Sequence, residues 1–128
     1  MKNIKLAIVG SRDFLDYVFC KDFILSKFKV ENIEEIVSGG ARGADSLGER
    51  FAKEFNIKFT CFKPDWDTYG KRAGFLRNTT IVENSNTVIA FWVNKSNGTK
   101  DTISKAINSK SKVFVVNIED VTTIEEYN

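Results

Sequence analysis

Three short segments rich in glycine and small polar residues carry the clearest chemical signal in this sequence. They are Gly10-Ser11-Arg12-Asp13, Ser38-Gly39-Gly40-Ala41-Arg42-Gly43-Ala44-Asp45 and Asn94-Lys95-Ser96-Asn97-Gly98-Thr99. Glycine has no Cβ, so the backbone N–H groups of such a segment can approach an anion closely. A helix that begins at the segment adds the positive end of its dipole. With Arg12 or Arg42 as a counter-charge, this pattern predicts a site for a phosphate group.

The second segment gives the sharpest prediction, because small residues lead directly into a predicted helix. Its three glycines and Ala44 leave the start of that helix uncrowded, which favours phosphate binding there. The segment is neither a P-loop, since no Gly-Lys-Ser/Thr follows, nor a GxGxxG fingerprint. Asp45 falls in the first turn of the helix, where a carboxylate complements the helix dipole. Alternatively Asp45 accepts a ribose hydroxyl or orients Arg12, and the sequence leaves these interpretations open.

A mixed aromatic and basic segment follows the predicted third strand. Its candidate ligand residues are Trp66, Tyr69, Arg77 and Asn78. Such a segment can stack a base on an aromatic ring and hold a phosphate with a cation. Arg77 is expected to start a helix at the ligand crevice, the alternative being a solvated helix arginine. Trp92, at the end of the fourth strand, either walls the crevice or fills the core.

The 128 residues include no histidine, and this absence excludes several classes of enzyme and metal site. A Ser-His-Asp triad, a Cys-His pair and a zinc site with histidine ligands all need imidazole. Cys20 and Cys61 are too far apart in sequence for a CxxC motif. We therefore expect two reduced thiols, no metal and no cofactor.

Charge and hydropathy argue against two further kinds of partner. There are 19 basic and 17 acidic residues, and the resulting net charge of +2 argues against a nucleic-acid partner. No apolar run approaches the roughly 18 residues of a transmembrane helix. The apolar run that follows the basic start is too short for a signal peptide. No membrane partner and a cytoplasmic location are therefore expected.

Apolar runs alternate with segments of helical periodicity along nearly the whole chain, which is typical of an α/β fold with a mostly parallel sheet. Strands are predicted over residues 4–9, 33–37, 57–62, 87–93 and 113–118, and helices after Asp16, over 43–55 and 75–83, and after Thr99. These elements predict one domain over residues 1–128. The expected architecture is a three-layer, Rossmann-like, doubly wound sheet of about five strands in the order 3-2-1-4-5. The tail, 119–128, is a short helix, an edge strand or disordered.

Within these elements, Asp16 and Thr99 are expected to cap the first and last helices. The inward residues of these two helices are predicted as Val18, Phe19, Phe23, Ile24 and Phe28 in the first, and Ile103, Ala106 and Ile107 in the last. Gly48, inside the second helix, costs about 1 kcal/mol relative to alanine, which predicts close packing against the sheet. Ligands of an open parallel sheet bind at the carboxyl ends of the strands, where the order reverses. All three glycine-bearing segments are therefore expected at one crevice.

The order of these motifs resembles the SLOG superfamily, and within it most closely the small YspA/YpsA-related branch. The resemblance is carried by residues 9–14, 38–45, 65–78 and 98–99, so it extends from the first strand to the last helix. It implies a Rossmann-like domain that binds nucleotides or nucleotide-derived ligands. By position, residues 39–45 and Gly98-Thr99 match the phosphate-binding elements. Arg77 falls where hydrolase relatives carry an arginine at the active site.

Relatives in this superfamily belong to several functional classes. LOG-type members are phosphoribohydrolases, others are nucleotide-sensing modules, and the DprA group binds single-stranded DNA. The hydrolases carry the motif PGGxGTxxE, whereas Thr102 occupies the position of its catalytic glutamate here. Asp101 is adjacent but about 100° around the helix, so it cannot simply substitute. Catalysis by the relatives' mechanism is not expected, and an enzyme would have to use Arg77 with Asp45, Asp101 or Glu83.

The leading hypothesis is a sensor or sequestering protein for a mononucleotide, an ADP-ribose-like molecule or a cyclic nucleotide. In this hypothesis the phosphate contacts the glycine-bearing segments, with Arg12 and Arg77 as counter-charges. The ribose lies near Asp45, and the base packs against an aromatic side chain. A phosphoribohydrolase, a single-stranded DNA-binding module and an interaction protein without a ligand are the alternatives. A homo-oligomer is expected, because SLOG relatives commonly self-associate.

Overall fold

In the computed structural model, which describes residues 2–119 and 121–128, six strands form one sheet. The strands are β1 (Ile4–Gly10), β2 (Ile33–Ser38), β3 (Lys58–Cys61), β4 (Thr87–Val93), β5 (Lys112–Ile118) and β6 (Thr123–Tyr127). The helices are α1 (Tyr17–Lys27), α2 (Ala44–Glu54), α3 (Trp66–Tyr69), α4 (Ala73–Glu83) and α5 (Asn97–Asn108). Short 3₁₀ turns lie at Val30–Asn32 and Gly70–Arg72.

The sheet order is β3-β2-β1-β4-β5-β6, with the first five strands parallel and β6 antiparallel to β5. This confirms the predicted α/β class and the order 3-2-1-4-5. The prediction of about five strands misses β6, an edge strand whose five residues are all exposed. Because β6 has no buried face, its residues show no apolar pattern in the sequence, and the tail could therefore be predicted only as a short helix, an edge strand or a disordered segment. Residue 120 of that tail lies outside the described residues.

Helices cover both faces of the sheet. Successive residues of a strand point to opposite faces, so each strand contributes apolar side chains to the core on either side. Leu6 and Ile8 of β1 join an apolar core with α1 and α2, whereas Ala7 and Val9 join a second core with α4 and α5. All four residues are buried. The two helical layers leave the loops at the carboxyl ends of the strands as the open edge of the sheet.

The start of α1 agrees with the prediction, but its inward face differs from it. The Asp16 carboxylate accepts a hydrogen bond from the Phe19 N–H at 3.0 Å, so Asp16 caps the helix as predicted. Val18 is 67% exposed, and its predicted inward position is wrong. Tyr17 and Cys20 are buried instead. They lie three residues apart on one helix face, and Val18 is turned about 100° away from Tyr17.

The start and the inward face of α5 also differ from the prediction. The helix begins at Asn97, with Ser96 in the capping position, so Thr99 is a buried residue of the first turn rather than the cap. Ile103 and Ala106 are buried as predicted, whereas Ile107 is 36% exposed.

The start of α4 is earlier than predicted, which changes the position of Arg77. The helix begins at Ala73, directly after the 3₁₀ turn, and Arg77 therefore lies in its second turn. Arg72, the residue before the helix, makes no side-chain capping hydrogen bond. The sequence consequently carries no capping signal that would mark this helix start.

Gly48→Ala is expected to destabilise the protein by about 1 kcal/mol. A Cβ at this position of α2 would lie 2.8 Å from the Cβ of Ile8, which is fully buried. Over-packing of this kind costs about 1–3 kcal/mol, and the higher helix propensity of alanine offsets about 1 kcal/mol of that. Urea unfolding measures the change.

The matched control is Gly74→Ala in α4, where a Cβ would meet only the Trp66 ring at an ordinary 3.5 Å. This substitution is expected to stabilise the protein by up to about 1 kcal/mol, because only helix propensity changes. Stability changes of the same sign at the two glycines would contradict the packing argument.

Candidate functional site

A cleft of about 610 Å³ lies at the carboxyl ends of β1, β2 and β4, with α4 along one side. All three glycine-bearing segments contribute to its walls, because parallel strands end at the same edge of the sheet. The predicted ligand residues that line it are Gly10, Ser11, Arg12, Arg42, Asp45, Trp66, Arg77, Asn78, Gly98 and Thr99. The lining also includes Asp13, Ala41 and Ser96, which belong to the three predicted segments, and Phe75 and Thr102, which were not predicted as ligand residues. A signal was available for Ser96, since it precedes the helix in the third segment.

Gly10 lies where β1, β4 and α2 meet at the floor of the cleft. A Cβ on Gly10 would lie 2.2 Å from the carbonyl oxygen of Phe91 and 2.8 Å from the Cβ of Ala44. The N–H of Ser11 donates to the same Phe91 oxygen at 2.9 Å. The three elements can therefore approach this closely only because residue 10 has no side chain.

The amide groups of the segment after β2 are partly engaged by the protein itself. Ala41 donates its N–H to Oδ2 of Asp45 at 3.2 Å, and Ala44 donates its N–H to the Ser11 carbonyl at 3.2 Å. Gly43 has a φ of 80°, and a Cβ there would lie 2.5 Å from the same Ser11 oxygen. The lining of the cleft does not include the predicted ligand residues Ser38, Gly39, Gly40, Gly43 and Ala44. A phosphate on this loop would have to displace the Asp45 carboxylate.

Asp45 is a carboxylate in the cleft wall with only 6% of its surface exposed. Burial raises its pKa from 3.8 to about 6, against the opposing effects of the Ala41 N–H, Arg77, the Gly39 N–H and Arg12. Among the described residues, no ion pair within 4.0 Å joins Asp45 to an arginine. The direct ion pair with Arg12 that one interpretation requires is therefore not present.

Arg77 and Asn78 connect the loop after β2 to the start of α5. Nη1 of Arg77 donates to the carbonyl oxygen of Gly39 at 2.6 Å, and its Nε donates to Oδ1 of Asn78 at 3.0 Å. Asn78 is buried, and its Nδ2 donates to the Gly98 carbonyl and to Oδ2 of Asp101, both at 3.2 Å. The Asn78 amide is thus committed to protein partners and positions Arg77 in the cleft wall.

A cluster of three hydroxyl groups lies at the start of α5. Oγ of Ser11 is 3.0 Å from Oγ of Ser96, which donates to Oγ1 of Thr99 at 3.0 Å. The N–H of Val93 donates to Oγ of Ser11 at 2.9 Å. Unlike α2, which has Asp45 in its first turn, α5 has no acidic residue in its first turn. The Ser11 hydroxyl donates to the Val93 carbonyl at 3.1 Å, so an anion here would draw on the backbone N–H groups at the start of α5. No carboxylate competes with it there, and this end of the cleft is the better site for an anion.

The aromatic side chains predicted to contact a base have different positions. Trp66 is 54% exposed, and Phe75 is 50% exposed beside it in the cleft lining. Tyr69 lines a separate cavity of about 430 Å³ next to α4, together with Glu83. Trp92 packs against the core under α4 and α5, and its Nε1 donates to the Ser96 carbonyl at 2.9 Å. Trp92 therefore supports the start of α5 and does not line the cleft.

The carboxylates proposed for an enzyme do not gather in the cleft. Asp101 forms an ion pair with Lys105 at 2.8 Å and accepts a hydrogen bond from Asn78, and neither it nor Glu83 is among the lining residues. Thr102, at the position of the hydrolase glutamate, does line the cleft. Of the three candidates, only Asp45 reaches it.

In the part of the chain that the structure describes, no helix combines the length and the apolar character needed to cross a membrane. The same residues contain no group of three or more acidic or cysteine side chains that could hold a metal ion.

Comparison with known proteins identifies one curated relative and several similar structures. The gene 61 protein of Mycobacterium phage D29 is 35% identical over 91 residues, which are 66% of this chain and 71% of that protein. DprA from Streptococcus pneumoniae matches with a TM-score of 0.73 and 21% identity over 92% of this chain. This chain spans about half (52%) of that DprA. No protein-family model matches the chain.

Two further structures agree with this fold. DprA from Helicobacter pylori matches with a TM-score of 0.70, 20% identity, and coverage of 95% of this chain and 69% of that one. TM1055, a structural-genomics target, matches with a TM-score of 0.63, 17% identity, and coverage of 88% and 72%. At such identities the likeness shows the fold alone, which is Rossmann-like. The Helicobacter protein is described as binding single-stranded DNA.

Asp45→Asn is expected to raise the free energy of unfolding at pH 7. The pKa of the Asp45 carboxyl is about 6 in the folded state and 3.8 in the unfolded state. Between these pH values the folded state binds more protons than the unfolded state, so the free energy of unfolding falls as the pH rises from about 4 to 6. Two pKa units correspond to about 3 kcal/mol, which is the upper limit of the gain at pH 7. The gain vanishes below about pH 4. Urea unfolding across this pH range measures it.

Asp22→Asn is the matched control, because Asp22 is an exposed acid on α1. It removes the same charge away from the cleft, so no comparable gain is expected. A stability profile of Asp45→Asn that runs parallel to that of the unsubstituted protein from about pH 4 to pH 7 would contradict the assignment.

Proposed function

The chain belongs to the family of the gene 61 protein of Mycobacterium phage D29, and from the cleft that it carries we propose that it binds a nucleotide or nucleotide-derived ligand through a phosphate at the start of α5. One observation carries this proposal: the Ser11, Ser96 and Thr99 hydroxyls surround a helix N-terminus that opens into the cleft. The first turn of α5 contains no carboxylate to compete with a phosphate. Among the proteins that the sequence resembles, the YspA/YpsA-related branch of nucleotide-binding domains fits this site.

Cationic side chains around the cleft support an anionic ligand. Arg12, Arg42 and Lys71 line it from exposed positions, and Arg77 lines it from a half-buried one. A guanidinium group can hold a phosphate through two parallel hydrogen bonds, which a lysine cannot do. Arg12 follows β1 directly beside Ser11, so we assign it as the principal counter-charge of the phosphate.

The exposed aromatic rings in the lining provide a place for the base. Trp66 and Phe75 are each about half exposed, at 54% and 50%. A base that stacks on such a ring contributes about 1–3 kcal/mol to binding, whatever its identity. Lys71 lines the same cleft. We therefore propose that the base lies at the mouth of the cleft, with the phosphate at its inner end.

We propose a sensor or sequestering protein rather than a hydrolase. Removing a base from a nucleotide requires a carboxylate beside the anomeric carbon of the sugar, where positive charge develops in the transition state, and not beside the 2′- and 3′-hydroxyl groups. Thr102 stands where the hydrolase relatives have glutamate, and the adjacent Asp101 is paired with Lys105. These two features favour binding without turnover.

Gly98→Asp is expected to abolish nucleotide binding while leaving the protein folded. A Cβ at Gly98 meets no atom within 4 Å, and an acid in the first turn of a helix is favourable for stability. Two unit charges 4 Å apart interact by about 4 kcal/mol at an effective dielectric near 20, so affinity for a phosphate should fall at least about a hundredfold. Titration calorimetry with adenosine 5′-monophosphate, ADP-ribose and a cyclic nucleotide measures the loss.

Gly98→Asn is the matched control, because it has the same shape without the charge. It is expected to retain affinity within about fivefold of the unsubstituted protein. Equal losses in the two variants, or no binding of any of the three compounds at millimolar concentration, would contradict a phosphate site at the start of α5.

Single-stranded DNA is the second candidate ligand, favoured by the distribution of charge. Four basic and two acidic side chains line the cleft, which gives the cleft a net charge of +2. The whole chain also has a net charge of +2, so the surplus positive charge of the cleft lies at one edge of the sheet. Exposed aromatic rings beside a basic groove are typical of sites for single-stranded nucleic acid. The Helicobacter DprA, which shares the fold, is described as binding such DNA.

If single-stranded DNA is the ligand, Lys71→Gln should reduce the salt dependence of binding. Each phosphate contact of a single strand contributes a slope of about −0.7 in log affinity against log salt, so one lost contact reduces the slope by that amount. Fluorescence anisotropy with a labelled oligothymidylate measures it.

Lys29→Gln is the control, because Lys29 is an exposed lysine after α1 and outside the cleft lining. An oligothymidylate affinity that is insensitive to salt, or slopes that are equal in the two variants, would exclude this cleft as the DNA site.

A further inference from the structure

We propose that Asp45 makes the cleft selective for ligands with a ribose diol, by accepting hydrogen bonds from the 2′- and 3′-hydroxyl groups of a bound nucleotide. This inference rests on the proposed function, because it assigns the part of the ligand next to the phosphate. It also distinguishes between the two candidate ligands, since the sugar of DNA lacks the 2′-hydroxyl.

Asp45 differs from every other charged group that lines the cleft. It is an acid with only 6% of its surface exposed, whereas Asp13, the other acid in the lining, is exposed. The Ala41 N–H donates to its Oδ2 and fixes the orientation of the carboxylate. A carboxylate can accept about four hydrogen bonds, so the backbone N–H groups of this loop use only part of its capacity. In a cleft that opens to a ligand, hydroxyl groups can use the remaining capacity.

The charge of Asp45 determines which part of a nucleotide can lie beside it. A carboxylate repels a phosphate, and the start of α5 attracts one, so the two sites take different parts of the ligand. Arg77 and Asn78 join these sites: the guanidinium contacts Gly39 in the Asp45 loop, and the amide contacts Gly98 in α5. Two consecutive residues of α4 therefore contact both sites.

Hydroxyl recognition by an ionised acid produces strong selectivity. A hydrogen bond to a charged acceptor is roughly twice as strong as one between neutral groups. A site that is built to bind a hydroxyl rejects the analogue without it, because a buried acceptor then remains unpaired. The four cations in the cleft lining do not substitute for the hydroxyls, since none forms an ion pair with Asp45 within 4.0 Å among the described residues.

The test is titration calorimetry of adenosine 5′-monophosphate against its 2′-deoxy and 2′,3′-dideoxy analogues. The unsubstituted protein is expected to bind the ribonucleotide at least about tenfold more tightly than the dideoxy analogue, with the 2′-deoxy compound between them. Asp45→Asn, whose amide oxygen can still accept the Ala41 N–H, should reduce that ratio to about threefold or less. Asp22→Asn, which removes the same charge from the exposed face of α1, should leave the ratio unchanged.

The possible results separate this inference from the function on which it rests. If all three nucleotides bind equally and Gly98→Asp abolishes their binding, the phosphate site stands and selection by Asp45 is overturned. If the preference for ribose persists in Asp45→Asn, another residue is responsible and the assignment is again overturned. If no nucleotide binds the unsubstituted protein at millimolar concentration, the proposed function fails and the inference fails with it.

Discussion

The close meeting of β1, β4 and α2 at Gly10 is the constraint on which the geometry of the cleft depends. The Phe91 carbonyl and the Ala44 side chain occupy the space that a Cβ at residue 10 would need. This contact places the start of α2, and therefore Asp45, beside the end of β1. It also leaves Ser11 directed toward the start of α5, where its hydroxyl meets Ser96. A larger residue at position 10 would separate these walls before it touched any ligand.

Two helices point their N-termini toward the same edge of the sheet, yet their chemistry differs. The start of α2 is neutralised from within by Asp45, which accepts the Ala41 N–H, whereas the start of α5 has hydroxyl groups and no acid. A glycine-rich loop therefore does not by itself indicate anion binding, because a carboxylate of the same loop can accept the backbone N–H that an anion would need. The charged residues of the first helical turn are more informative, because they decide whether the helix dipole is available to a ligand.

Much of the fold could be predicted from the sequence, because parallel strands buried on both faces leave continuous apolar runs. The strand order and the convergence of three loops followed from those runs and from the rules for doubly wound sheets. The exposed strand β6 left no such run, and Val18 is an apolar residue that the helix turns toward solvent. Hydrophobicity alone does not reveal which apolar residues of a helix face inward.

The site was less predictable than the fold, because sequence does not show which side chains are already occupied. Trp92 and Asn78 have the right chemistry for a ligand, but their polar atoms are bound to Ser96, Gly98 and Asp101. The burial of Asp45 likewise depends on packing between α2 and the loop after β2, which no local pattern encodes.

The edge strand β6 has a consequence for how copies of this chain can meet. A strand at the margin of a sheet offers unpaired backbone groups to other chains, and charged side chains discourage that pairing. Glu125 and Glu126 lie side by side on β6, with Glu126 3.8 Å from Lys112 and Glu125 3.0 Å from Asn117. Two such strands brought together would align acid against acid. Pairing of two copies through their β6 strands is thereby disfavoured.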